Sequence, residues 1–144
     1  IASTKARFVS RGDDSGTHVR ERSLWEAAGL SPDGDDGWPE YYWRAGQGMG
    51  ACLTMADEKD AYVLADRGTY LAFREKLDLV VLVEGDPRLR NPYGVILVNP
   101  ERHPHVRHAA ARTLAEWLTS REGQARIAAF RRQGRVLFHP ATSE

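Results

Sequence analysis

The stretch from Phe8 to His18, FVSRGDDSGTH, constrains the fold of this chain more than any other. Phe8 and Val9 are a short apolar run of the kind that ends a strand. Ser10, Arg11 and Gly12 then lead into Asp13, Asp14, Ser15, Gly16 and Thr17, and a helix-compatible segment runs from about Ser15 to Ala28. Strand, glycine-bearing turn and helix start, in that order, form an anion cradle, because the first N–H groups of a helix have no partner within it and point outward. Arg11 adds a permanent charge with a planar fork of donors, suited to an oxyanion with several equivalent oxygens. The same residues have a plainer use. Asp13, Asp14, Ser15 and Thr17 are good N-cap residues, Gly12 and Gly16 are ordinary turn formers, and two aspartates oppose an anion unless they cap the helix or hold Arg11.

Downstream, Gly29 followed by Leu30 predicts a left-handed cap on the first helix, and Val19, Leu24, Trp25 and Ala28 predict its buried stripe. Ser31 to Trp38 is loop by composition. Trp38, Tyr41, Tyr42 and Trp43 form a tight aromatic cluster, read as packing under that loop rather than as a ligand box. Gly46 to Gly50 (GQGMG) opens a second helix-compatible run, Ala51 to Lys59, so the amides of Gly48, Met49 and Gly50 can also face an anion.

The rest of the chain alternates apolar runs with helical pieces. Ala61 to Ala65 reads as a strand, Asp66-Arg67-Gly68 as its turn, and Thr69 to Glu75 as a short helix. Leu77 to Val83 (LDLVVLV) predicts a strand covered on both faces, and Pro92 to Val98 (PYGVILV) contains another. Arg107 to Thr119 is an amphipathic helix with Ala110, Leu114, Trp117 and Leu118 on one face. Ser120 then caps a last helix that carries Glu122 early and ends at Gly134. This alternation predicts an α/β architecture.

A length of 144 residues is that of one domain able to bury a core. Lys plus Arg and Asp plus Glu are 20 each, so the charge gives no support for nucleic acid or an anionic membrane as partner. No apolar run is long enough to cross a bilayer. Cys52 stands alone, so no disulfide forms within the chain. A first residue of Ile1, with no signal-like segment, predicts a processed product or a fragment.

Chemistry beyond anion binding has few candidates. His103, His105 and His108 are close in sequence, but Pro104 and the surrounding composition fit a solvated turn, and no Cys or carboxylate pattern completes a zinc site. Ser15 and His18, three apart on one helix, do not make a nucleophile–base pair. Asp66 with Arg67 reads as a structural ion pair or turn. No catalytic residue, metal or cofactor is assigned.

The runs SRGDDSGTH, GQGMG, AYVLADRGTYLA, LDLVVLVEGDP and NPYGVILVNP, with the C-terminal HPHVRHAAARTLAEWLTSREGQARIAAFRRQG and LFHP, resemble the tungstate-binding proteins of bacterial ABC transporters. The resemblance covers Phe8 to Pro140. It implies an α/β fold of the type II periplasmic-binding-protein class: two lobes, a hinge, and an oxyanion held in the cleft. It also implies a periplasmic or other extracytoplasmic location and an ABC transporter permease as partner. In that family the Arg-Gly-Asp-x-Ser-Gly-Thr stretch belongs to the anion site, which points to Arg11, Ser15, Gly16 and Thr17. With Gly48, Met49, Gly50 and Tyr93 these make the candidate oxyanion-binding set. The family's other binding stretch, a Thr-rich turn near the mature N-terminus, has no counterpart here.

By analogy, residues 7–90 are the second lobe and 91–144 a hinge strand with C-terminal helices that return to the first lobe. The N-terminal lobe is then largely absent. Such a piece is expected to expose apolar surface near Leu114, Trp117 and Ile127 and to form homo-oligomers. The expected ligand is tungstate, with molybdate or sulfate behind it. The alternative is an enzyme whose RGDDSGT loop cradles a phosphoester while Asp13 or Asp14 acts as base.

Overall fold

The computed structural model describes residues 1–32 and 40–140. They fall into two compact units, Ile1–Asn91 and Pro92–Glu144.

The first unit is built on three short parallel strands, β1 (Phe8–Ser10), β2 (Tyr42–Arg44) and β3 (Tyr62–Val63), in the spatial order β2-β1-β3. Helix α1 (Gly16–Ala27) joins β1 to β2, α2 (Met49–Glu58) joins β2 to β3, and α3 (Arg67–Phe73) follows β3. The register pairs Phe8 with Tyr42 and Tyr62, and Val9 with Trp43 and Val63. Because β1 is central, Phe8, Val9 and Ser10 are all buried.

Alternation along the strands gives the sheet two unlike faces. Val9 points into an apolar core with Met49, Cys52, Leu53, Ala56 and Ala61. The four α2 residues in that set follow the helical period, so one stripe of α2 is buried. Burial also raises the pKa of the Cys52 thiol. On the opposite face Phe8 stacks on Tyr42 at 5.7 Å and meets Trp25 edge-on at 5.3 Å. Ser10, His18 and Glu21 are buried there too.

Helix α1 closes as its sequence predicts. Gly29 has φ +69°, the Gly29 amide donates to Glu26 O and the Leu30 amide to Trp25 O, both at 2.9 Å. These two bonds are the Schellman pattern. The predicted stripe is corrected: Val19 is exposed, and the buried residues of α1 are His18 and Glu21. The Tyr42 hydroxyl donates to the Glu21 carboxylate, so a paired polar group takes the place expected of an apolar one. The aromatic cluster is likewise part strand. Tyr42 and Trp43 lie in β2, which three residues were too few to announce. Trp38 lies outside the described residues.

Two strand expectations fail. Leu77 to Val83 lies in no helix or strand. Leu77 and Leu79 tuck against the α2 core, while Val80 and Val83 are 72% and 71% exposed. The Asp78 amide donates to the Asp57 carboxylate at 2.8 Å, and Leu79 O accepts from the Tyr70 hydroxyl at 3.1 Å, so side chains bond this backbone instead of a ladder. A strand needs a neighbour's edge as well as apolar residues, and no described segment offers one. Asp66-Arg67-Gly68 is also not a separate turn, since Asp66 caps α3 and Arg67 begins it.

In the second unit Pro92 to Val98 also lies in no helix or strand, with Ile96 almost fully exposed. Tyr93 is exposed and meets Phe138 edge-on at 6.0 Å. His103 and His105 sit in an exposed turn, and the His108 ring lies 3.2 Å from Val98 O. Helices α4 (His108–Thr119) and α5 (Arg121–Ala129) pack together, with Ser120 capping α5 through Gly123 N–H at 3.1 Å. Leu114 and Trp117 are exposed, as expected, whereas Ile127 is half-buried. Gly134 does not end α5. It forms, with Gln133, the turn of a hairpin between β4 (Arg131–Arg132) and β5 (Arg135–Val136), and both turn residues have positive φ. Such a pair matches the right-handed twist of two-residue hairpins. No helix among the described residues is long and apolar enough to cross a membrane.

Candidate oxyanion-binding site

Three parallel strands put three helix starts at one edge of the sheet, the carboxyl edge. In open α/β sheets ligands bind outside that edge, where the strand order reverses. Here α1 leaves β1 toward β2, and α2 carries the chain back past β1 to β3. The loops after β1 and β2 are also laced together beyond the strands. The Ala45 amide donates to Ser10 O and the Gly46 amide to Arg11 O, both at 2.9 Å. The turn before α1 and the glycine-rich turn before α2 are thereby held side by side.

The three starts are finished differently. Asp66 caps α3 with its own carboxylate, accepting from Thr69 N–H and Thr69 Oγ1 at 2.8 Å each. Ser15 caps α1, its hydroxyl accepting from His18 N–H at 3.4 Å. The Ser15 amide donates to Asp13 Oδ1 at 3.2 Å and the Asp14 amide to His18 Nδ1 at 3.0 Å. The amides of Gly16 and Thr17 keep no acceptor among the described residues. At α2 the cap is Gly48, which has no side chain to offer, so the amides of Met49 and Gly50 are open in the same way.

Gly12 makes this geometry feasible. Its φ is +60°, and a Cβ there would lie 2.9 Å from Arg44 Cβ, so an L side chain is excluded on both counts. Gly50 has a packing reason instead, because a Cβ would lie 2.6 Å from the Phe73 ring. The Met49 side chain is buried in the core, so only its amide is available.

Arg11 is 21% exposed at its side chain and ion-paired to Asp13, with Nη2 at 2.6 Å and Nε at 3.1 Å from Oδ2. One N–H of Nη2 and both of Nη1 are left to face a ligand, so Asp13 orients the fork without exhausting it. Hydrogen bonding from Ser15, then from Arg11, holds the Asp13 carboxyl below its ordinary pKa. Asp14 has φ +56° and a side chain that is 83% exposed. Arg67 is elsewhere engaged, with Nη2 2.7 Å from Glu84 Oε2.

Behind the loop, burial raises the Glu21 carboxyl while hydrogen bonds from Tyr42, Ser10 and Trp25 oppose that rise. His18 Nε2 is buried with no partner among the described residues.

Arg11, Ser15, Gly16, Thr17, Gly48, Met49 and Gly50 are therefore neighbours along one sheet edge, and Tyr93 belongs to the second unit. Sequence reasoning missed Arg44, whose Nη2 donates to Gly12 O at 3.4 Å. Only the parallel register, which sets Arg44 opposite Ser10, brings it there.

Comparison with known proteins agrees with the fold. The chain is 45% identical over 142 residues to the tungstate-binding protein TupA of Peptoclostridium acidaminophilum, an alignment covering 97% of this chain and 48% of that one. Among solved structures, the tungstate ABC transporter protein of Geobacter sulfurreducens is 50% identical, with a TM-score of 0.73 over 85% of this chain and 50% of that one. TupA of Desulfovibrio alaskensis G20 is 38% identical, with a TM-score of 0.76 over 99% of this chain and 58% of that one. The chain spans about half the length of the curated relatives it matches. The PBP superfamily domain matches residues 1–122, most of the chain, and the chain belongs to the PBP superfamily.

Proposed function

We propose that this chain forms one wall of an extracytoplasmic oxyanion receptor that captures tungstate, with molybdate and sulfate as weaker rivals, and hands it to an ABC transporter permease. The observation that carries the reading is the pair of helix starts tied edge to edge through Gly46 N–H and Arg11 O, each with open amides. A tetrahedral dianion can be held by backbone N–H groups and hydroxyls with a single Arg. Each charge-assisted bond contributes roughly 1.5–3 kcal/mol, so a few of them reach micromolar affinity or better. The helix starts add about 0.3–1 kcal/mol each. Arg11, Ser15, Gly16, Thr17, Gly48, Met49 and Gly50 form this wall.

On the lobe assignment, we take residues 7–90 as the second lobe and 91–144 as the segment returning to the first. Apolar segments outside any sheet, at Val80–Val83 and Val95–Val98, support it, since they have the character of strands awaiting a neighbour. Without that neighbour, the exposed Leu114 and Trp117 favour homo-oligomers.

The enzyme alternative is disfavoured by its bases. Asp13 is committed to Arg11 and Ser15 and is held ionised to lower pH, and Asp14 is solvated. Calorimetry of the chain against tungstate, molybdate, sulfate and phosphate, beside a turnover assay with an aryl phosphate, is the test. Saturable tungstate binding without turnover is expected. Hydrolysis of the ester, or no binding to any of the four anions, would reject the receptor.

A further inference from the structure

We infer that His18 is a positioning residue for the oxyanion site, its Nδ1 fixing the left-handed Asp14 and thereby the amides that α1 presents. The inference rests on the receptor reading above and concerns a residue that does not itself touch the anion.

Asp14 sits at φ +56°, a conformation that non-glycine residues adopt at a cost and that surrounding structure must hold. What holds it is a reciprocal pair of bonds across the first turn of α1. The His18 amide donates to the Ser15 hydroxyl, and the His18 ring accepts from the Asp14 amide at 3.0 Å. In the usual capping box an acidic or amide side chain at the third helical position reaches back to the cap residue. Here a histidine occupies that position and reaches one residue further, to Asp14. With Asp13 accepting from the Ser15 amide, two upstream donors are consumed and Gly16 and Thr17 are left open. His18 thus selects which amides face outward, and it holds the Asp14 carboxylate in solvent.

The ring's tautomer follows from the same contact. The Asp14 carboxylate lies 3.4 Å from Nδ1, which would suit a protonated nitrogen, but the amide is closer and aimed at it, so Nδ1 accepts. The proton is then on Nε2, which is buried without a partner among the described residues. An unpaired buried donor is a cost that a leucine at this position would avoid. Packing alone therefore does not account for a histidine, whereas an acceptor at Nδ1 does.

Three substitutions separate the roles. His18→Asn places an amide oxygen close to the Nδ1 position, His18→Gln keeps a polar group near Nε2 only, and His18→Leu keeps neither. Each variant of the full chain is titrated with sodium tungstate, and exchange of the Asp14 amide is followed by NMR without ligand. His18→Asn should bind within about threefold of wild type and keep Asp14 protected, while His18→Gln and His18→Leu should bind at least about tenfold more weakly and lose that protection. If His18→Leu does not fold, the Asn and Gln pair decides alone. Equal affinities for Asn and Gln, or Asp14 exchange that is the same in both, would overturn the inference while leaving the receptor intact. A wild-type chain that binds no tungstate would overturn the receptor reading and the inference together.

Discussion

The uncapped start of α2 offers a test in which stability and binding should move in opposite directions. Gly48 is the N-cap, with φ −64° and ψ 160°, a conformation open to any residue, and a Cβ there meets nothing within 4 Å. Gly48→Asp therefore fits without strain. Its carboxylate would accept from an amide of the first turn, worth about a few tenths of a kcal/mol over glycine. It would gain a further 0.3–1 kcal/mol or so from the helix dipole. On a unit spanning Ile1–Asn91, about 1 kcal/mol in total raises the melting temperature by roughly 4–8 °C. The same carboxylate would fill the cradle. Against one charge of an oxyanion about 5 Å away, at an effective dielectric near 20, the repulsion is ~3 kcal/mol, about a hundredfold in affinity. Thermal denaturation and tungstate calorimetry of the two proteins measure both quantities. A more stable Gly48→Asp variant with unchanged tungstate affinity would refute the cradle at α2 and leave GQGMG as a plain turn.

Arg11→Ala should weaken oxyanion binding by about 2 kcal/mol, roughly thirtyfold, and Arg11→Lys should recover only part, because an ammonium does not reproduce the fork. Arg67→Ala is the control, since Arg67 is paired with Glu84, and equal losses in both variants would point to long-range charge rather than contact. For Glu21, the folded pKa lies above the ordinary value of 4.5, so its contribution to stability is full below that pH and is lost as pH rises through the folded pKa. Glu21→Gln should flatten the fall in melting temperature between about pH 4.5 and neutrality, and an unaltered slope would mean another group sets it. Gly50→Ala should destabilise by about 1–3 kcal/mol through the Phe73 contact, read as a lower urea midpoint, and a neutral result would show that the ring moves aside freely.

What could be read in advance was local. Ser15 as cap, Gly29 as helix stop and the helix opened by GQGMG each depend on residues within one or two turns, and each is found in place. The family also lay within reach, because SRGDDSGTH and GQGMG are distinctive strings. The failures share a different cause. β2 has three residues and owes its existence to β1 beside it, so no period within Tyr42–Arg44 announces it. LDLVVLV has strand composition without an edge to pair with, and composition cannot supply one. Glu21 is buried where an apolar stripe placed Val19, because its carboxylate is paired with Tyr42, which is distant in sequence. Arg44 reaches Gly12 through the same register.

The central place of β1 also has a kinetic side. The earliest of these three strands to be synthesised pairs with Tyr42–Arg44 on one flank and with Tyr62–Val63 on the other, with no nearer partner among the described residues. At ordinary translation rates, the interval between Phe8 and Tyr62 leaving the ribosome is roughly 3–10 s. Through that interval Phe8 and Val9 are a sticky apolar pair on a nascent chain. Closing two long loops around one strand also places this unit among slow folders of high contact order, whereas α4 and α5, joined at Ser120, meet at once. A chaperone that shields Phe8 and Val9 would therefore help this unit fold more than one that acts on α4 and α5.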